Sequence, residues 1–131
     1  MNIEKDNKQD LVNYRIKQAN DTIEVVELLI RNERYPSAVN RIYYGMFYSL
    51  LALALKSEFE SSKHQQLIGW FNKEFIKTKK IDTDFGRILK ISYENRTKGD
   101  YDSFIEFDKE QVLQLFEEMK RFIVEIEKHL D

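Results

Sequence analysis

The chain has 131 residues, 21 Lys and Arg against 23 Asp and Glu, one Pro, four Gly and no Cys. That length suits a single domain with a true core, while the lack of Cys excludes a disulfide framework, a thiolate zinc site and a cysteine nucleophile. So little Pro and Gly argues against a barrel or sandwich with many tight turns.

Residues 1–10 are polar and have no signal-peptide core, so they read as a polar N-terminal extension. From there Val12, Ile16, Ala19, Ile23, Val26 and Ile30 recur at spacings of four and three, the apolar stripe of an amphipathic helix. Arg31-Asn32-Glu33-Arg34 interrupts it. Pro36 then suits the first turn of a second helix, about 36–57, where its missing N–H costs nothing. This helix is apolar almost all round and is predicted to be central, with Tyr43, Phe47, Leu50 and Leu51 in the core. Its small residues Ala38, Gly45, Ala52 and Ala54 let neighbours approach closely. Its longest nearly uncharged run, Ile42 to Leu55, falls short of the roughly 20 residues of a membrane helix.

Ser62-Lys63-His64-Gln65 matches a capping box and opens a third helix burying Leu67, Ile68, Phe71 and Phe75. A short fourth helix begins near Asp82, turns Phe85, Ile88, Leu89 and Ser92 inward, and ends around Asn95. A second box, Asp108 to Gln111, starts the last helix, with Val112, Leu115, Phe116, Met119, Phe122, Ile123, Ile126 and Leu130 on one side. The fold class is therefore all-α, an up-and-down bundle of about five helices forming one domain over 1–131. The expected location is cytoplasmic, without a membrane partner.

Charge is uneven along this chain. Residues 73–98 carry 8 cations against 4 anions, and residues 99–131 carry 4 against 10. The basic segment runs into Asn95-Arg96-Thr97-Lys98-Gly99-Asp100-Tyr101-Asp102, which reads as a loop holding cations, carboxylates and a phenol. Loops concentrate function, so Arg96, Lys98 and Arg41 are expected to form an anion site, with Asp100 holding one cation in place and ordering the loop. In the bland alternative Arg96 caps a helix end and Gly99-Asp100 makes a turn.

Arg41, Tyr44 and Tyr48 fall on one face of the second helix. A charge in so apolar a helix wants a partner; Asp100, Asp102 and Glu94 are the candidates, against an Arg41 that snorkels along Tyr44. His64 is a candidate acid/base group or a capping neighbour, and His129 suits a helix C-terminus. No phosphate loop, His-Glu-x-x-His or serine elbow occurs. Asp100 and Asp102 are too few ligands for a metal, and no cofactor is expected.

Ala38-Val39-Asn40-Arg41-Ile42-Tyr43-Tyr44-Gly45-Met46-Phe47 resembles the A-x-x-R-x-Y-Y-A-x-F signature of small stand-alone HEPN-domain proteins. Ser62-Lys63-His64, Phe75-Ile76-Lys77-Thr78 with Gly86-Arg87-Ile88-Leu89, and Arg96 to Tyr101 agree with it, covering about residues 13 to 128. The resemblance implies a helical bundle assembled as a homodimer. It also implies, for many members, a metal-independent endoribonuclease acting as a toxin or defence effector. In such a site an arginine holds the scissile phosphate, and a histidine separated from it by four to six residues acts as acid or base, doubled across a dimer cleft. Arg96 matches the arginine. The histidine's place holds Tyr101, Asp102 and Ser103, so Tyr101 and Asp102 are the catalytic candidates beside Arg96.

The resemblance further implies an MNT-type nucleotidyltransferase antitoxin that attaches AMP to a tyrosine near the motif, which makes Tyr101 a candidate modification site. Arg41, Tyr44, Arg96 and Lys98 would contact RNA or another anion. Three readings stand side by side: a toxin paired with a nucleotidyltransferase, a catalytically inactive HEPN module that binds nucleotide, RNA or a partner, and a dimeric helical scaffold.

Overall fold

A computed structural model describes the backbone of residues 3–101 and 105–131, and the side chains of residues 6–100 and 105–131. Five α-helices follow one another: α1 Ile3–Arg31, α2 Tyr35–Lys56, α3 His64–Phe71, α4 Thr83–Tyr101 and α5 Lys109–Glu127. A π-helical segment, Asn72–Ile76, continues α3. No strand occurs among the described residues, so the all-α bundle expected from periodicity is what forms.

The stripe of α1 is buried at Val12, Ala19, Val26 and Ile30. Residues 3–10 continue the same helix, and Lys8 reaches Glu58 after α2 at 3.2 Å. Pro36 lies in the first turn of α2. That helix packs against α1, α3, α4 and α5, the central position its composition demanded. Tyr43 and Leu50 are fully buried and Phe47 nearly so, whereas Leu51 is only half-buried at the edge of the core. Gly45 marks a close crossing of α2 with α5. A Cβ there would collide with the Cε of Met119 on α5, with the Thr22 methyl of α1 at 3.4 Å on its other side.

Two helix starts differ in kind. Asp108 caps α5, its carboxylate accepting the Gln111 N–H at 2.8 Å, as the pattern predicted. The box at Ser62 does not form. Lys63 holds the N-cap position of α3 without a side-chain bond, and Ser61 works one residue earlier, accepting from the Lys63 N–H at 3.2 Å and donating to Gln66 at 2.9 Å.

The larger correction concerns α4. Its helix does not stop at Asn95 but runs on to Tyr101, so the residues read as a loop, Asn95 to Asp100, are helical. Weak helix formers are held there by tertiary and local bonds. Thr97 donates to the Tyr93 carbonyl at 2.9 Å, Arg96 pairs with Asp100 one turn on, and the Phe107 ring packs where a Gly99 Cβ would come within 3.3 Å. Gly99 thus serves close packing rather than a turn. Among the described residues no helix is long and apolar enough to cross a membrane.

Candidate functional site

The central helix turns an aromatic face toward α3 and α4. Tyr43, Tyr44 and Phe47 occupy adjacent turns because residues three and four apart share a helix face, and the rings meet at 5.4–6.2 Å. His64, the first residue of α3, lies flat on Phe47 with centroids 4.1 Å apart and planes within 8°. Its Nδ1 is 2.6 Å from the Tyr43 hydroxyl. Stacking and hydrogen bond together fix both the orientation of the imidazole and its inward nitrogen.

From α4, Tyr93 closes on Tyr43 at 5.4 Å, and Arg96 lays its guanidinium against three phenols at once. Its central carbon is 5.7 Å from the Tyr43 ring, 5.4 Å from Tyr44 and 6.0 Å from Tyr93, a cation–π cage. Arg96 also donates to the Tyr44 hydroxyl at 2.9 Å. Its Nε approaches Asp100 Oδ2 at 3.1 Å, but the N–H is not aligned with that oxygen. The contact is therefore an ion pair rather than a second hydrogen bond.

The electrostatics follow from this packing. Burial pushes the Tyr43 hydroxyl far above the ordinary tyrosine value, only partly offset by Arg96, so it keeps its proton. Burial, and then the Arg96 charge, lower His64 below an ordinary histidine, which leaves it neutral near pH 7. Burial also works against the Arg96 charge, yet the Tyr44 hydroxyl and Asp100 outweigh it and raise its pKa. The result is a permanent cation beside a neutral, oriented imidazole.

The remaining expected residues fall on both sides of this cluster. Among the described residues Arg41 makes no carboxylate tie; Asp102, one of its expected partners, lies outside them. The Arg41 Nε and Nη2 donate to the Asn40 side-chain Oδ1 at 3.0 and 2.9 Å, and its guanidinium lies 4.6 Å from the Tyr44 ring. Half-exposed, it can leave its other donors to water, while Asp100 is engaged by Arg96 and by the Asn40 amide at 3.3 Å. Two arginines therefore bracket Tyr44. Lys98 does not join them: two residues beyond Arg96 on a helix, it is carried to the far side of α4 and is exposed. Asp100 anchors Arg96 within a helix rather than ordering a loop. The side chains of Tyr101 and Asp102 lie outside the described residues. His129 is spent on Glu125 at 3.2 Å. No group of three or more metal-ligating side chains exists among the described residues.

Sequence reasoning missed two members, Tyr93 and Asn40. Tyr93 stands three residues before Arg96, a spacing that shares a face only once α4 is known to continue past Asn95. Nothing in the sequence brings His64 to Arg96, 32 positions away; the juxtaposition comes from α3 and α4 both packing on α2.

Taken together, these features define an all-helical protein whose polar site is a cation–aromatic cluster shared by α2, α3 and α4. The chain belongs to the HEPN domain family, which it matches over residues 12–129. It is similar to a UPF0332 protein of Thermotoga maritima, 36% identical over 95% of this chain and 94% of the relative. Two relatives in Methanocaldococcus jannaschii bear the names "Putative toxin MJ0142" and "Putative toxin MJ0605". The first is 37% identical over 88% of this chain and 78% of its own length; the second is 32% identical over 88% and 85%. The chain is thus a small, toxin-like HEPN protein.

Proposed function

We propose that this protein acts as the toxin component of a toxin–antitoxin or defence system, engaging an RNA or nucleotide phosphate through Arg96. The observation that carries the reading is the seating of Arg96: a charge held permanently on by Tyr44 and Asp100, with His64 bonded into the same tyrosine cluster. A planar guanidinium suits a phosphodiester, which it can bind through two oxygens.

In the reaction, a neutral His64 accepts the proton of a ribose 2′-hydroxyl as its oxygen attacks the adjacent phosphorus. Arg96 stabilises the charge that accumulates on the phosphoryl oxygens. The P–O5′ bond breaks, the departing oxygen takes a proton from solvent, to which His64 returns the one it accepted, and a 2′,3′-cyclic phosphate remains. The Tyr43 hydroxyl fits this role by accepting the Nδ1 hydrogen, which leaves Nε2 unprotonated and able to act as the base. Since Nδ1 is occupied, Nε2 is the ring nitrogen left for substrate.

The protein works as a homodimer that brings two Arg96 sites together. Support comes from the aromatic content, 9 Phe, 7 Tyr and 1 Trp, and from the commonness of isologous pairing. An MNT-type nucleotidyltransferase is its partner, with Tyr101 as the acceptor of AMP. The decisive experiment incubates the protein with mixed RNA under chelator, beside Arg96→Ala and His64→Ala. Cleavage by the parent alone supports the reading.

One observation favours a second reading. Tyr101 rather than histidine stands at the family position, as in a module that binds RNA or nucleotide without cutting it. RNA retained by the parent but not by Arg96→Ala, without cleavage, selects that reading. A monomer mass by light scattering at micromolar concentration overturns the dimer.

A further inference from the structure

Beside the Arg96 cluster, a groove of about 590 Å³ runs between α4 and the unit formed by α3 and its π-helical extension. Its size is within the range of small-ligand sites, and so is its character, apolar walls with a few placed polar groups. Ile68 and Ile76 supply apolar surface, Gln65 and Asn72 supply amides, Lys90 stands at one side and Tyr93 closes the end.

Three features of the fold make this groove more than a gap between helices. Gly86 helps keep it open: a Cβ there would already be in contact, at 3.4 Å, with Asn72 Oδ1 and with both branches of Ile76, so a side chain longer than alanine would intrude. The π-helical turn holds both Asn72 and Ile76, and widened turns of this kind recur at functional sites. Tyr93 is common property, lining the groove while its ring lies 6.0 Å from the Arg96 guanidinium and 6.4 Å from the His64 ring.

The charges are also sorted. Arg87 is tied to Asp84 at 2.8 Å and faces Glu118 at 3.6 Å, so it serves as wall. Lys90 makes no ion pair among the described residues, and Glu94 is the groove's one anionic side chain.

We propose that this groove receives an unpaired nucleobase of the RNA or nucleotide whose phosphate lies on Arg96. The proposal rests on the phosphate reading of Arg96 and extends it to base recognition. Single-stranded RNA is read by splayed bases that stack on aromatic rings and offer their edges to hydrogen-bonding side chains. Here Tyr93 and the two isoleucines form the stacking surface. The amides of Asn72 and Gln65 carry both donors and acceptors, matching the mixed edge of a base. Because Tyr93 bridges groove and cluster, a base resting on it keeps its own phosphate on the Arg96 side.

The test measures binding of the four nucleoside 5′-monophosphates, ribose 5-phosphate and adenosine by calorimetry and by protein amide shifts. At least one monophosphate is expected to bind about tenfold or more tighter than ribose 5-phosphate, with shifts at Asn72, Gly86 and Tyr93. Gly86→Leu should abolish that advantage, and Asn72→Ala should reduce it, with ribose 5-phosphate affinity unchanged; circular dichroism shows that each variant is folded. Equal binding of monophosphates and ribose 5-phosphate overturns the proposal and leaves the phosphate reading standing. So does an advantage that survives in folded Gly86→Leu. Conversely, Arg96→Ala should remove ribose 5-phosphate binding and spare adenosine shifts in the groove. If Arg96→Ala leaves ribose 5-phosphate untouched, the phosphate reading falls and adenosine alone decides the groove.

Discussion

Gly45→Ala tests the packing of the bundle through two opposing effects of known size. In an ordinary helix the change gains about 1 kcal/mol, because glycine wastes backbone entropy. At this position the new Cβ falls well inside van der Waals contact with Met119 Cε, while the Thr22 methyl at 3.4 Å blocks retreat toward α1. Met119 is fully buried, so its flexible side chain has nowhere open to go, and overpacking of this kind costs about 1–3 kcal/mol. The expected balance is a loss of about 0–2 kcal/mol, measured by urea denaturation followed by circular dichroism. Met119→Ala should cost about 2–5 kcal/mol by itself. In that background the cavity accommodates the Cβ, and Gly45→Ala should turn stabilising by about 1 kcal/mol. The reversal of sign is the signature, since only residues in contact couple in this way. Equal effects in both backgrounds, or stabilisation in the parent, would refute the described α1–α2–α5 crossing.

Three further outcomes are expected. Phe47→Ala should cost about 3–5 kcal/mol and, by removing the ring 4.1 Å from His64, let the histidine titrate closer to its ordinary value in an NMR titration. Because His64 is held below that value by burial and then by Arg96, the unfolded chain takes up its proton first as pH falls. Stability should therefore decline as pH drops below about 6.5; Arg96→Gln should raise the His64 pKa, and no rise would deny the coupling. Asp108→Ala should cost about 1 kcal/mol through loss of the α5 cap, read as a lower denaturation midpoint.

Most of the bundle could be read from periodicity, because burial of a stripe is what holds an amphipathic helix in place. Val12 to Ile30, the whole of α2, and Val112 to Ile126 are of this kind. The fourth helix was misread at its end, since Asn, Thr and Gly argue locally for a stop while the packing of Phe107 on Gly99 and the Arg96–Asp100 pair argue for continuation. Tertiary contact won. That one error put Lys98 into the expected site and hid Tyr93. Asp100, one of the partners expected for Arg41, was read as free in a loop and is instead committed to Arg96. Arg96 and Tyr44 were found from residue type and spacing; the seat of His64 needed three helices in place.

Tyr43 is at once the largest fully buried side chain of the core and the hydrogen-bond partner of His64. Structural integrity and site chemistry are therefore drawn from the same atoms. A chain that loosens at this residue loses the aim of its imidazole and its central packing together, so heat or denaturant should erase any His64-dependent chemistry along with the helical signal. Variants isolated for lost function at positions 43 and 47 will mix two defects that only a fold measurement separates. Those at Arg96, which also pairs with Asp100 near the end of α4, need the same control.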